Sequence, residues 1–231
     1  MIPLRDINPT RTTPVLTYGL IALNTAIFLF QATLPDAEFE LFVRRYGLIP
    51  EMITEDVYVG SLITPLTSMF LHGGWLHLIL NMWSLYIFGD NVEDTLGKLR
   101  FVLFYLATGF GAAAAQVLVN PSSEVPMVGA SGAIAGVLGA YLKLFPGARV
   151  VTLIPIFLVF LVREIPAVFF IIVWFALQLI SGVSALGLED DVGWVAIFAH
   201  IGGFLVGLLL VARLRPQPNP TRGFRPPAQR Y

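Results

Sequence analysis

Long apolar stretches separated by short polar segments run through most of the chain. A bilayer core of about 30 Å requires roughly 20 apolar residues in helical form. The pattern predicts six transmembrane helices: Val15 to about Leu34, Trp75 to about Gly89, Phe101–Val119, about Ser131–Phe145, Ile165–Gly182 and Gly193–Leu214. We therefore expect an all-α membrane protein in which the fourth helix is shorter than the others.

A further apolar stretch, 149–166, is interrupted by Pro155 and Pro166 and carries Arg149 and Arg163 near its ends. Proline removes a backbone donor and breaks or bends a helix. We therefore expect this stretch to be an interfacial loop between helices four and five. If it spanned the bilayer, the chain would have seven spans and the topology given below would fail.

Composition supports a membrane protein. The 231 residues are 56% hydrophobic and 13% charged, and the mean hydropathy is +0.78, whereas soluble domains carry about 25% charged residues. The net charge of −1 provides no basic field for nucleic acid, and the absence of cysteine excludes disulfides and thiol nucleophiles. The first apolar segment lacks a signal-peptide cleavage site, so we expect it to be retained.

Basic residues indicate the orientation. With six helices, every Lys and Arg except Arg44 and Arg45 falls on one side, and cytoplasmic loops carry the excess of basic residues. Both termini are therefore expected in the cytoplasm and the protein in the plasma or inner membrane. The predicted organisation is a cytoplasmic segment at 1–14, a membrane domain at 15–214, and a Pro- and Arg-rich cytoplasmic tail at 215–231 that we expect to be disordered.

Three polar residues in apolar helices are expected at one depth. Ser131 precedes Lys143 by twelve residues, and His200 precedes Arg213 by thirteen. His77 precedes Asp90 by thirteen residues. At 1.5 Å per residue, all three lie about 18–20 Å above the cytoplasmic edge. Helix four would then begin inside the membrane, and a loop from the outer side would reach it.

Two pairs of glycines predict close contact between helices four and six. Gly132 and Gly136 share the GxxxG spacing with Gly203 and Gly207, and that spacing lets membrane helices approach closely. His200 lies on the same helical face as Gly203. If the glycine faces meet, Ser131 Oγ and His200 come within hydrogen-bond reach as nucleophile and base. The alternative is that Ser131 belongs only to the small-residue packing surface.

Stabilisation of an oxyanion requires hydrogen-bond donors. His77 and Asn81 lie four residues apart and therefore share one helix face. Asn81 could instead be a polar contact between helices. Because Ser131 begins a helix, its own backbone N–H also points toward the site.

Three motifs together resemble the rhomboid family of intramembrane serine proteases, in its compact six-helix bacterial form. They are GASG at 129–132, HGGWLHLILN at 72–81 and AHIGGFLVG at 199–207. The resemblance covers about 60–214 and implies a bundle around a short central helix four. It implies a catalytic dyad of Ser131 and His200, an oxyanion-stabilising pair of His77 and Asn81, and packing or motif glycines at Gly129, Gly132, Gly136, Gly203 and Gly207.

The resemblance also implies structural roles for His72, in the first loop, and for Glu93, at the cytoplasmic end of helix two. Two positions depart from the family pattern. Ile63-Thr64 stands where many members carry Trp-Arg, and Ala135 stands where some members carry an aromatic residue stacked under the histidine. The His200 ring must therefore be held in another way.

The resulting hypothesis is a serine endopeptidase that cleaves transmembrane segments of membrane-protein substrates, without a metal or cofactor, in contact with the lipid bilayer. A zinc protease fits poorly because HExxH is absent. An aspartyl mechanism fits poorly because every Asp falls in a predicted loop. The alternatives left open are a catalytically inactive rhomboid-like protein that binds membrane clients, and a channel or transporter. The sequence does not indicate the oligomeric state.

Overall fold

The computed structural model describes residues 2–156, 159–184 and 192–215, and side chains outside 156–159 and 177–196. Of the tail at 215–231 that is predicted to be disordered, residues 216–231 lie outside the described residues. The same is true of the acidic segment that includes Glu189, Asp190 and Asp191.

Helices make up most of the described chain. The six predicted helices correspond to α1 (Val15–Gln31), α5 (Trp75–Leu96), α6 (Lys98–Val119), α7 (Ser131–Leu144), α8 (Ala167–Ser184) and α9 (Val192–Leu214). The connection from α1 to α5 contains α2 (Asp36–Tyr46), α3 (Glu51–Thr54) and α4 (Thr64–Thr67), with 3-10 turns at Ser61–Ile63 and Ser68–Phe70. The predicted helix starts agree with the structure within three residues.

Within the described residues, two helices are both long and apolar enough to cross a membrane, Lys98–Val119 and Ile197–Leu214. Shorter apolar helices include Val15–Gln31 and Ser131–Leu144. Each of the six expected helices is therefore present, while the number of membrane spans remains a prediction.

The chain also forms a sheet that sequence analysis missed. Strands β1 (Ile2–Asp6), β2 (Arg149–Ile156) and β3 (Val159–Pro166) pair antiparallel in the order β1-β2-β3. The expected interfacial loop at 149–166 is thus a β-hairpin, and the expectation of an all-α fold is wrong here. Val and Ile favour strands, but consecutive apolar residues concealed the two-residue period.

The C-terminal end of α5 holds the start of α1 in place. The Glu93 carboxylate is buried and accepts hydrogen bonds from the backbone N–H groups of Leu16 and Thr17 at 3.1 and 2.7 Å. It thereby satisfies donors that the start of α1 leaves unpaired. Asp90 and Asp94 also lie within α5, so the expectation that every Asp falls in a loop is wrong.

Helix α7 lies at the centre of the bundle, where every residue from Gly132 to Tyr141 is buried. Its neighbours are α5, α6 and α9. Only small side chains allow one helix to be surrounded so closely, and the sequence SGAIAGVLGA supplies them.

Helix α9 touches the backbone of α7 through two glycines. A methyl group on Gly203 would overlap the carbonyl oxygen of Gly132, and one on Gly207 would overlap the carbonyl oxygen of Gly136. The predicted close approach of α7 and α9 at these glycines is therefore present. The α-carbons of Gly132 and Gly136 instead face α6, where an added methyl would meet Ala112 and Thr108.

Candidate active site

The loop before Ser131 is held on two sides. Leu48 and Met127 exchange two backbone hydrogen bonds of 3.0 and 2.7 Å, and the Gly129 N–H donates to the Ser68 carbonyl oxygen at 2.9 Å. Gly129 has a φ of +126°, a conformation that favours glycine. These contacts fix the point at which the chain enters α7.

Ser131 is the first residue of α7 and is partly buried. The first N–H groups of a helix have no partner within the helix, and they make its N-terminus attractive to negative charge. Ser131 therefore combines a hydroxyl group with backbone donors at one place, as the sequence predicts.

A cavity of about 650 Å³ opens beside Ser131. The four residues predicted to act in chemistry all line it: Ser131, His200, His77 and Asn81. They come from α7, α9 and α5, so the fold brings together groups that are far apart in the sequence. Gly129 and Gly132 line the same cavity.

His77 packs against the serine loop. A Cβ atom at Gly129 would lie 2.7 Å from His77 Nε2 and 3.6 Å from Ser131 Oγ, so glycine is also required here for space. The Gly73 N–H points at His77 Nδ1 across 3.5 Å, a long contact that favours the tautomer with the proton on Nε2. The imidazole thus presents an Nε2–H donor on the side of Ser131.

Asn81 supplies a second donor one turn further along α5. Its side chain is 6% exposed, and its Nδ2 has no hydrogen-bond partner among the described residues. An unpaired buried donor costs free energy. A negatively charged oxygen in the cavity would satisfy it, as oxyanion stabilisation requires.

His200 reaches the cavity from α9 and is 4% exposed. Since Gly203 contacts Gly132, the helical rise places the His200 and Ser131 α-carbons about 3 Å apart along the helix axes. Neither ring nitrogen of His200 has a hydrogen-bond partner among the described residues. The predicted bond to Ser131 is therefore not formed here, which is common for catalytic pairs without substrate.

A tryptophan that sequence analysis missed contacts the His200 ring. Trp174 of α8 lies with its ring centroid 5.4 Å from that of His200, at an interplanar angle of 52°. Ala135, which stands where some family members carry an aromatic residue, is completely buried. Trp174 is 26 residues before His200 in the chain, and no spacing rule connects the two positions.

His72 lies beside the site but not on the cavity wall. Its backbone N–H donates to Gln31 Oε1 at 3.1 Å, and its carbonyl oxygen accepts from Gln31 Nε2 at 3.3 Å. Its buried ring lies 5.1 Å from that of His77. These contacts fit the structural role that the resemblance implies.

The other departure from the family pattern, Ile63-Thr64, lies away from the cavity. Ile63 is 53% exposed, whereas Thr64 is buried and its hydroxyl donates to the Ser61 carbonyl oxygen at 2.7 Å. Thr64 therefore stabilises its own loop, and neither residue lines the cavity.

A family model described as the rhomboid domain matches residues 59–217. The chain belongs to the rhomboid family. The matched region contains all three motifs and every residue of the candidate site. This membership confirms the resemblance drawn from the motifs.

Curated relatives carry the same family name. The chain is 35% identical to "RHOMBOID-like protein 6, mitochondrial" of Arabidopsis thaliana over 67% of its length and 44% of the relative. It is 30% identical to "Rhomboid protein 1, mitochondrial" of Saccharomyces cerevisiae over 84% of its length and 51% of the relative. It is 35% identical to "Rhomboid protease GluP" of Bacillus subtilis over 56% of its length and 24% of the relative. The chain thus spans about half or less of the length of these rhomboid relatives.

Proposed function

We propose that this rhomboid is an intramembrane serine endopeptidase that cleaves transmembrane segments of membrane proteins with a dyad of Ser131 and His200. The proposal rests on one observation: four groups suited to acyl transfer, from α5, α7 and α9, line a single cavity. Among its relatives, the Bacillus subtilis protein named above is called a rhomboid protease.

The arrangement supports a two-step reaction. His200 takes the proton of Ser131 Oγ as the oxygen attacks the substrate carbonyl, and the backbone N–H of Ser131, Nε2–H of His77 and Nδ2 of Asn81 bind the resulting oxyanion. His200 then gives the proton to the leaving amine. Water, activated by the same histidine, hydrolyses the acyl-enzyme and restores the serine.

The proposal includes a topology. The six helices α1 and α5–α9 cross a plasma or inner membrane with both termini in the cytoplasm, as the distribution of basic residues indicates. The site would then lie in the outer half of the bilayer, about 18–20 Å above the cytoplasmic edge. A bond near the outer face of a substrate would be cut.

Substrate choice follows from backbone chemistry. A transmembrane helix has all its backbone groups paired, so a carbonyl must leave the helix before Ser131 can attack it. Small or helix-weakening residues near the scissile bond lower that cost. We therefore expect substrates with such residues in their outer half.

The proposal is tested in liposomes that contain the protein and a model transmembrane substrate. Wild type should cleave the substrate near its outer face, and Ser131→Ala and His200→Ala should not. Ser84→Ala is the matched control, because Ser84 lines the same cavity while its hydroxyl bonds to the Leu80 carbonyl oxygen. Equal cleavage by all four proteins would contradict the dyad.

Absence of cleavage by every protein would raise the alternative of an inactive client-binding rhomboid. A fluorophosphonate probe resolves this case, because it reacts with an activated serine without any substrate. Labelling of wild type but not of Ser131→Ala would support the protease. Absence of labelling would favour the client-binding protein.

A further inference from the structure

The ring of His200 lacks the usual means of orientation. A catalytic histidine is normally held by a hydrogen bond from one ring nitrogen to a carboxylate or carbonyl. Among the described residues, neither Nδ1 nor Nε2 of His200 has such a partner. An imidazole without that bond can rotate about its side-chain torsions, and rotation would move its nitrogen away from Ser131.

Trp174 supplies the contact that is missing. Among the described aromatic rings, it is the one that packs on His200, at 5.4 Å between centroids. Trp174 also lines the cavity beside Ser131. The indole therefore lies where it can restrict rotation of the imidazole.

Trp174 is itself braced. Its ring contacts Phe175 edge to face at 5.1 Å, and Phe175 contacts Phe204 edge to face at 4.8 Å. Phe204 lies on α9 four residues after His200. Two neighbouring aromatic residues of α8 thus contact α9 at positions one turn apart: Trp174 at His200 and Phe175 at Phe204.

We propose that Trp174 is a positioning residue that holds the His200 imidazole in the orientation needed to accept the Ser131 proton. The proposal rests on the function proposed above and assigns a specific role to α8. A merely structural role for Trp174 is the competing explanation, in which its ring serves only to pack α8 on α9.

Phe175 separates these explanations. It is adjacent to Trp174, also aromatic, and packs on the same helix, but it does not line the cavity. Phe175→Ala therefore removes packing between α8 and α9 and one edge contact of Trp174, but it keeps the indole beside His200. Trp174→Phe keeps a ring next to His200 and serves as the conservative rescue.

The first measurement compares kcat and KM for the liposome substrate. Aromatic contacts of this kind contribute enough to change a rate by about tenfold. Trp174→Ala should lower kcat about tenfold with little change in KM, and Trp174→Phe should recover most of the loss. Phe175→Ala, which keeps the indole, should lose clearly less kcat than Trp174→Ala. Equal losses in Trp174→Ala and Phe175→Ala would overturn the proposal, as would wild-type kcat in Trp174→Ala.

The second measurement does not depend on activity. Diethylpyrocarbonate modifies accessible imidazoles, and mass spectrometry reports each histidine separately. Trp174→Ala should accelerate modification of His200 several-fold, while His72 in the same molecules, which does not line the cavity, serves as the internal reference. An unchanged rate at His200 would overturn the proposal. If wild type neither cleaves nor reacts with fluorophosphonate, the proposed function fails, and this measurement still tests the ring contact.

Discussion

The two sides of the candidate site are built in different ways. On one side, α7 and α9 touch backbone to backbone at Gly132 and Gly203, with no room for a methyl group. On the other, α5 and α8 contact each other through the stacked rings of Phe88 and Phe170, whose centroids are 5.9 Å apart, and other residues of α5 line the cavity together with Phe170 of α8. We call the backbone contact of α7 with α9 at Gly132 and Gly203 the seam. The side formed by α5 and α8 borders the cavity, and we call it the opening.

This difference separates two tasks. The seam fixes the levels of Ser131 and His200, because backbone contact leaves no side chain to adjust. Under the proposed function, the opening would give a substrate access to His77 and Asn81 on α5, and Trp174 of α8 packs against His200, the proposed base. Substitutions in the seam should therefore act on stability first, and substitutions at His77 and Asn81, the predicted site residues of α5, should act on activity first.

The largest expected effect tests the opening. Asn81→Ala and His77→Ala should each lower kcat by about 10²–10³, the usual result of removing one oxyanion donor. The midpoint of thermal unfolding should change little. Ile79→Ala is the control, because Ile79 lies on the same helix, is 54% exposed and does not line the cavity. A loss of stability with retained activity in Asn81→Ala and His77→Ala would show that these residues only support the fold.

The next prediction tests the seam. Gly203→Ala should lower the free energy of unfolding by about 1–3 kcal/mol, because an added methyl overlaps the Gly132 carbonyl oxygen and overpacking costs that much. Gly19→Ala in α1 is the matched control, since a methyl there has no neighbour within 4 Å. Thermal unfolding in detergent measures both. Equal unfolding midpoints would mean that α9 is free to move away from α7.

The seam was predictable from the sequence, and the opening only in part. GxxxG spacing indicated that α7 and α9 approach each other, and the helical rise placed Ser131 near His200. His77 and Asn81 were found because their four-residue spacing sets them on one helix face. In each case, regular helix geometry turned sequence spacing into position.

Features without such a rule were missed. The contact of Trp174 with His200 depends on how α8 packs, which no local period records. The β-hairpin of β2 and β3 is apolar at successive positions, so its sequence resembles a buried helix as much as a strand. The bond from Ser131 to His200 was expected from proximity, but hydrogen bonding also needs an orientation that sequence does not encode.

A smaller effect is expected where α5 fastens α1. Glu93→Ala should lower the free energy of unfolding by about 0.5–2 kcal/mol, because donors at a helix start lose their acceptor. Glu93→Gln should lose less, because its amide oxygen still accepts from Thr17 or Leu16. Glu40→Ala, at an exposed carboxylate of α2, is the control. Identical unfolding curves for Glu93→Ala and Glu40→Ala would contradict the capping role.

The smallest effect concerns the N-terminal strand. Asp6 Oδ2 accepts hydrogen bonds from the Tyr141 hydroxyl at 2.8 Å and Asn91 Nδ2 at 2.9 Å, so it ties β1 to α7 and α5. Burial raises the pKa of the Asp6 carboxyl above its ordinary value of 3.8, although hydrogen bonds from Tyr141 and Asn8 oppose the shift. The folded protein therefore binds more protons at Asp6 than the unfolded chain does.

Because the folded protein binds more protons at Asp6, the contribution of Asp6 to stability falls as pH rises from 3.8 through the raised pKa. Asp6→Asn keeps an oxygen acceptor but has no proton to lose, so wild type should lose stability relative to Asp6→Asn across that window and run parallel to it above. Asp36→Asn, at an exposed carboxylate, corrects for general charge effects. Unfolding midpoints between pH 3.5 and about 7 measure the difference, in a range set by ordinary carboxyl titration. A rise in wild-type stability relative to Asp6→Asn would show that the hydrogen bonds to Tyr141 and Asn91 outweigh the cost of burying the charge.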